Sequence, residues 1–346
     1  MSDDVVLVRK QGRVGRITLN RPKALHALNF AMCTTITTAL LAWRNDPDVD
    51  VVVVDHAEGT RGFCAGGDVL FLAESGRDDG RAGAEFFALE YRLNTLIKEY
   101  PKPYVALMDG VTMGGGVGIS VHGTHRVATE RTVFAMPEAG IGLAPDVGGG
   151  YFLSRLDGEL GMWLALSGAR LKGQDVLAAG IATHFMSSDE LAGLVEALCA
   201  EGIAALPPPT GPVEASYEPH RAEIDRAFSA GSVEEIIDRL QAGSEWAKGA
   251  AHEMAAKSPL TMKVAHRQLR LGKEQTFRDV MAMEFRICTR MIKTPNFQEG
   301  VRAVLVDRDN NPAWSPSALD DIDHQAVSIF FEDLGRDELS FKEIEK

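Results

Sequence analysis

A short apolar strand, a glycine-rich turn and a helix follow one another twice in this chain, from Val51 to Phe71 and from Tyr104 to His122. Such alternation predicts an α/β fold made of repeated β-β-α units, because strands and helices in that order bury their apolar faces by layering against each other. Val51–Asp55 is a β-branched run suited to a buried strand, and Pro103–Asp109 supplies the second. Between them a glycine turn carries Gly62-Phe63-Cys64-Ala65-Gly66-Gly67-Asp68, followed by a helix over 82–100.

The flanks extend the pattern. Val5–Lys10 and Val14–Asn20 read as a hairpin turned at Gln11-Gly12-Arg13, and Asn29 is a fitting N-cap for a helix to about Trp43. From about Gly148 the apolar spacing becomes mostly helical, broken at Leu206-Pro207-Pro208-Pro209-Thr210-Gly211-Pro212, where a helix cannot continue. Ser258-Pro259 starts a helix to Leu271, since serine caps and proline suits the first helical position; another spans 276–292.

A formal charge of −13 opposes non-specific binding to nucleic acid or acidic lipid, which needs a broad basic face. No apolar run approaches the roughly 18 residues of a membrane helix, and MSDDVVLVRK holds no apolar signal core; both lead to the expectation of a soluble, cytoplasmic protein with no membrane partner. Cys33, Cys64, Cys199 and Cys288 form no CxxC pair and read as reduced thiols. His122 and His125 lack the clustered cysteines or H-E-x-x-H pattern of a metal site, so no metal is expected.

Chemistry concentrates between Thr112 and Gly150, where two glycine clusters flank Glu138 and Asp146. Gly114-Gly115-Gly116-Val117-Gly118 does not give G-x-G-x-x-G, no G-x-x-x-x-G-K-S/T loop occurs, and the serine-hydrolase elbow G-x-S-x-G is missing. What remains is a pair of turns, Cys64-Ala65-Gly66-Gly67 and Gly114-Gly115-Gly116, each able to aim one backbone N–H at a shared point. Two such donors make an oxyanion hole, in which one donor is typically worth roughly 3 kcal/mol of barrier. Either cluster alone would read as a tight turn.

The residues GFCAGGD, MGGGVG and MPEAGIGLAPDVGGGYFLSRL resemble the crotonase, or enoyl-CoA hydratase/isomerase, superfamily through most of 5–200 and again at AKSPLTMKVAHRQL. The resemblance implies the ClpP/crotonase-like fold, a spiral of β-β-α units forming a catalytic core over 1–200. A helical region over 201–346 follows, with an insertion at about 203–250 that simple hydratases lack. The pattern is most similar to the 3-hydroxyisobutyryl-CoA hydrolases of valine breakdown, which implies release of CoA from a short β-hydroxyacyl thioester, the acyl-CoA being substrate and no cofactor being needed.

By the same resemblance, Ala65 and Gly115 supply the oxyanion hole, and Glu138 and Asp146 are catalytic. Glu90, Lys23, Leu25, Gly66, Gly67, Asp68 and Gly114 contact substrate or CoA, although a glutamate on a helix is equally at home in solvent. The 21–28 segment resembles the family's adenine-side CoA loop, with His26 where asparagine is usual. Gly118 occupies the position of the hydratases' second glutamate, whereas Asp146, eight residues after Glu138, matches the hydrolases. Glycines 140 and 142 and Pro145 break any helix between the two carboxylates, so only loop folding can bring them together. Hydration or isomerisation of an enoyl-CoA, and silent acyl-CoA binding, are the alternative readings. Homo-oligomers form through the C-terminal helices of simple members, a surface that 203–250 and the tail after Trp314 are placed to cover.

Overall fold

The computed structural model describes residues 4–345; Met1, Ser2 and Asp3 of the opening segment and Lys346 lie outside them. Among the described residues ten strands form two sheets: β1 (Val6–Gln11), β2 (Val14–Leu19), β3 (Val51–His56), β4 (Gly62–Cys64), β5 (Tyr104–Met108), β6 (Val111–Met113), β7 (His125–Ala128), β8 (Val133–Ala135), β9 (Leu171–Lys172) and β10 (His184–Phe185). The larger sheet runs β1-β2-β3-β5-β7-β10 and the smaller β4-β6-β8-β9. Consecutive strands therefore alternate between sheets, β3 then β4, β5 then β6, β7 then β8, and each pair is one turn of a spiral. Successive turns pair in parallel, with Val53 opposite Val105 and Val105 opposite His125 in one sheet, and Thr112 opposite Phe134 in the other.

This corrects the reading of Gly62–Cys64 as part of a turn and adds a third spiral turn, β7 and β8. Strands of three residues carry no alternation to detect; β4 is a strand because β6 pairs with it. The helix after the second glycine cluster is a single turn, Gly115–Gly118, and the helix expected over 82–100 spans Arg81–Lys98.

Alternation along β3 explains the core. Val51 and Val53 pack with Val14, Val105, Leu107 and Val127 beneath the Leu191–Glu201 helix, through Leu194, Val195 and Leu198. Val52 and Val54 point the other way, into the main core with Met32, Ile36 and Leu40 of the Phe30–Trp43 helix. Asn29 caps that helix by accepting from the Met32 N–H at 2.9 Å, as its sequence position predicts.

Beyond the irregular 206–212 stretch, the segment 203–250 contributes helices Arg221–Phe228, Val233–Gln241 and the start of Glu245–Ala255. Helices Pro259–Gly272 and Phe277–Met291 follow, and their buried faces join the main core. The second begins with a capping box between Thr276 and Asp279. The core is thus continuous from the spiral into the C-terminal helices, which is what lets those helices reach the candidate site.

Candidate active site

A cavity of about 520 Å³ opens where the two glycine turns meet. Its wall includes Ala65, Gly66 and Gly67 from one turn, Gly114 and Gly115 from the other, and Glu90, Glu138 and Asp146. Sequence and space agree on glycine here. Gly114 has φ +46, and a Cβ on it would stand 3.2 Å from Glu138 Oε1 and 3.3 Å from Gly66 Cα. A Cβ on Gly115 would fall 2.7 Å from Glu90 Oε1. The turns and both glutamates are therefore within contact range of one another.

Each carboxylate arrives on a different element. Glu138 opens the 3-10 turn Glu138–Ile141 after β8, Asp146 lies in the loop beyond it, and Glu90 sits on the inner face of the Arg81–Lys98 helix with Phe86, Phe87 and Tyr91. Glu90 is only 2 % exposed, Glu138 5 % and Asp146 5 %, so Glu90 is not the solvated helix residue its sequence context allowed. Loop folding has brought Glu138 and Asp146 into one cavity, and Glu90 Oε1 and Glu138 Oε2 have no hydrogen-bond partner. Buried acceptors left open in this way are ready to meet a ligand.

Burial pushes the Glu90 and Glu138 carboxyls well above the usual range, and the neighbouring Asp146 charge adds to both. Asp146 is also raised by burial, against the Tyr91 hydroxyl, which donates to Asp146 Oδ2 at 2.7 Å and pulls the other way. Three carboxyls this close and this dry titrate as one set, and the member with the hydroxyl donor holds its charge most readily. Tyr91→Phe is accordingly expected to raise the Asp146 pKa and move the acid limb of the activity profile to higher pH, with KM little changed; a pH–rate profile of the variant checks it.

Several expected contacts are placed elsewhere. The Ala65 N–H, expected in the oxyanion hole, donates to the Leu25 carbonyl at 3.0 Å and is spent on holding the 21–28 loop. Asp68 caps the Val69–Arg77 helix and pairs with Arg21 at 2.9 Å. Among the described residues, the wall takes in Gly66, Gly67 and Gly114 but not Lys23, Leu25 or Asp68. Lys23 is exposed on the 3-10 turn Pro22–Ala24, and Leu25 follows at φ +46. His26 is buried, with Nδ1 accepting from the Arg21 N–H and Nε2 3.0 Å from Thr60 Oγ1; burial lowers its pKa to about 4.

Burial raises the Cys64 thiol to about 12, which removes it as a nucleophile. His122 is buried against Val147, and no cluster of His, Cys, Asp and Glu able to hold a metal occurs among the described residues.

Sequence reasoning missed Tyr91, Asn94, Arg170, Lys257, Gln268 and Glu284. Asn94, one turn beyond Glu90, is buried beneath Gly118 with neither side-chain polar atom partnered. Arg170 and Lys257 bring positive charge to the cavity wall. Glu284 left a signal: on Phe277–Met291 it shares the buried face of Phe277, Met281, Cys288 and Met291, a polar residue in an apolar stripe.

A family model described as enoyl-CoA hydratase/isomerase matches residues 14–331. Curated relatives named 3-hydroxyisobutyryl-CoA hydrolase, mitochondrial, include one from Gallus gallus, 46% identical over 96% of this chain and 90% of its own. Another, from Homo sapiens, is 45% identical over 97% and 90%. Among solved structures, a carnitinyl-CoA dehydratase from Mycobacterium thermoresistibile has a TM-score of 0.94 at 40% identity, covering 99% of both chains. An enoyl-CoA hydratase from Rhodobacter sphaeroides gives 0.91 at 39% identity, covering 97% of this chain and 100% of its own. These likenesses establish the crotonase fold. They also overturn the cytoplasmic expectation, since the curated relatives are named mitochondrial; lack of an apolar signal core says nothing of other routes of targeting.

Proposed function

Because the chain belongs to the enoyl-CoA hydratase/isomerase family, we propose that its cavity hydrolyses the thioester of a short β-hydroxyacyl-CoA, with 3-hydroxyisobutyryl-CoA first and 3-hydroxypropionyl-CoA second. The observation that carries this reading is the pairing of Glu138 with Asp146 in one buried cavity, while Gly118 offers no second glutamate. The full-length likeness to named 3-hydroxyisobutyryl-CoA hydrolases supports it.

In this reading the thioester carbonyl oxygen lies between the two glycine turns. Gly115 is one oxyanion donor, and Gly67 is the other in place of Ala65, because the Ala65 N–H donates to the Leu25 carbonyl whereas Gly67 lines the cavity and its N–H meets no backbone acceptor among the described residues. Glu138 either attacks the carbonyl carbon to form an anhydride that water then cleaves, or takes a proton from the water that attacks; in both routes the C–S bond breaks, the departing thiolate takes up a proton to leave as CoA, and the acid is released with Glu138 restored. Asp146, held by Tyr91, orients the β-hydroxyl or assists proton transfer, and Glu90 contacts the acyl group. Arg170 and Lys257 favour an anionic thioester despite the chain's net charge of −13. CoA enters as part of the substrate, and no further cofactor is assigned.

Measuring free thiol from a panel of acyl-CoAs tests the reading: the two β-hydroxyacyl thioesters should be cleaved fastest, and failure to cleave any of them overturns it. Enoyl-CoA hydration or isomerisation is the second reading, favoured by the two similar structures being named a dehydratase and a hydratase. Consumption of an enoyl-CoA with no thiol released would establish that instead. We assign the catalytic core to 1–200 and the helical region to 201–346, and propose assembly of identical copies; light scattering giving a monomer mass would end the last point.

A further inference from the structure

Asp146 lies in a turn that is held from outside the cavity. The next residue, Val147, has φ +54, a left-handed conformation that a branched side chain adopts only under constraint, and Gly148 continues at φ +86. Four backbone groups around Asp146 are each tied to a buried side chain. Gln268 Nε2 donates to the Pro145 carbonyl at 2.5 Å, and the His122 ring donates from Nε2 to the Val147 carbonyl at 2.7 Å. The Glu284 carboxylate accepts the N–H groups of Gly148 and Gly150, one on each oxygen, at 2.7 Å. Gln268 Nε2 also donates to Glu284 Oε1 at 3.1 Å, which joins two of the three holders.

Glu284, Gln268 and His122 come from three different elements and are all buried, yet none lines the cavity. Apart from the Glu284 charge, which helps raise the Glu138 carboxyl, they reach the reacting atoms through the turn, and Gln268 and His122 bring no charge of their own to it. We propose that Glu284, assisted by Gln268 and His122, is a positioning residue that keeps Asp146 aimed at the substrate by holding a backbone conformation the turn would otherwise leave. The inference rests on the reading that Asp146 acts in thioester hydrolysis. Its chemistry is specific to a carboxylate: two N–H donors need two acceptors, and an amide offers one acceptor and one donor. The C-terminal helices, through Glu284 and Gln268, thereby become part of the catalytic design as well as its cover.

The test uses the full chain and 3-hydroxyisobutyryl-CoA, with competent sites counted by binding of its non-hydrolysable thioether analogue. Glu284→Gln should lower kcat per competent site by roughly tenfold to a hundredfold, the scale of a misplaced catalytic group, while KM stays within about twofold. Glu284→Ala should lose more, so that glutamine counts as partial rescue. Gln268→Met, which frees the Pro145 carbonyl without touching the cavity, should show the same kcat-only loss and carries the test if the Glu284 variants do not fold. A merely structural role would lower thermal stability and the number of competent sites but leave kcat per site at the wild-type value, and that result overturns the clamp. Wild-type protein inactive on the whole thioester panel would overturn the reading of the site itself.

Discussion

Glu138→Gln is expected to cut thioester hydrolysis by about a thousandfold, within the span of general-base contributions, while acyl-CoA binding is retained. The substitution keeps the shape of a side chain that is 5 % exposed and removes only its capacity to carry and deliver an electron pair. Its effect on stability should run the opposite way. Burial and the Asp146 charge raise the folded-state pKa of Glu138 above the unfolded value, so between those two values the native state holds more protons than the unfolded state. Stability contributed by the protonated carboxyl is full below the ordinary glutamate value of about 4.5 and declines as pH rises toward the raised one. Glutamine does not titrate. The variant should therefore gain in Tm relative to wild type as pH rises above the ordinary glutamate value, while remaining inactive throughout. Thermal melts across that range, beside a CoA-release assay at each pH, check both halves. A variant that hydrolyses at the wild-type rate removes Glu138 from the mechanism.

That loss of function and gain of stability should coincide at one residue follows from how the site is built, and the sequence disclosed the parts of that design unevenly. Local signals were legible where one residue decides a boundary: Asn29 at the start of Phe30–Trp43, Ser258-Pro259 at the start of Pro259–Gly272, Thr276 before Phe277. The valines of β3 announced a strand buried on both faces, and the paired glycine clusters announced turns that approach closely. The second sheet was silent, because β4, β6 and β8 are three residues each and exist through pairing between distant segments. The bond from the Ala65 amide was hidden for a related reason: its acceptor, the Leu25 carbonyl, is far away in sequence. Glu284 reaches Gly148 across 136 positions, and no spacing within its own helix reveals that. What the motifs carried was the identity of the cavity's carboxylates; what folding added was which amides remain free and what holds Asp146.

Gly118→Glu, the change that would install the hydratases' second glutamate, is expected to destabilise the protein by several kcal/mol and to create no hydratase. A Cβ at Gly118 would stand 2.7 Å from Asn94 Nδ2 and 2.7 Å from Val147 Cβ, closer than real Cβ contacts come. Neither neighbour yields easily. Asn94 is fully buried on a long helix, and Val147 is already constrained at φ +54 with its carbonyl bound by His122. Pushing Val147 aside also moves Asp146, the adjoining residue, so hydrolysis should fall with stability. Gly118→Ala separates steric from electrostatic cost: overpacking by one methyl typically costs about 1–3 kcal/mol, and the glutamate adds a buried carboxyl whose nearest open donor, Asn94 Nδ2, is the atom its Cβ already crowds. Denaturant unfolding should rank wild type above Gly118→Ala, and that above Gly118→Glu, with CoA release following the same order. A folded Gly118→Glu protein that hydrates enoyl-CoA would show that the space beside Asn94 can open. In that event the distinction between hydrolysis and hydration would rest on the side chain at 118 alone, and not on the turn that the C-terminal helices hold around Asp146.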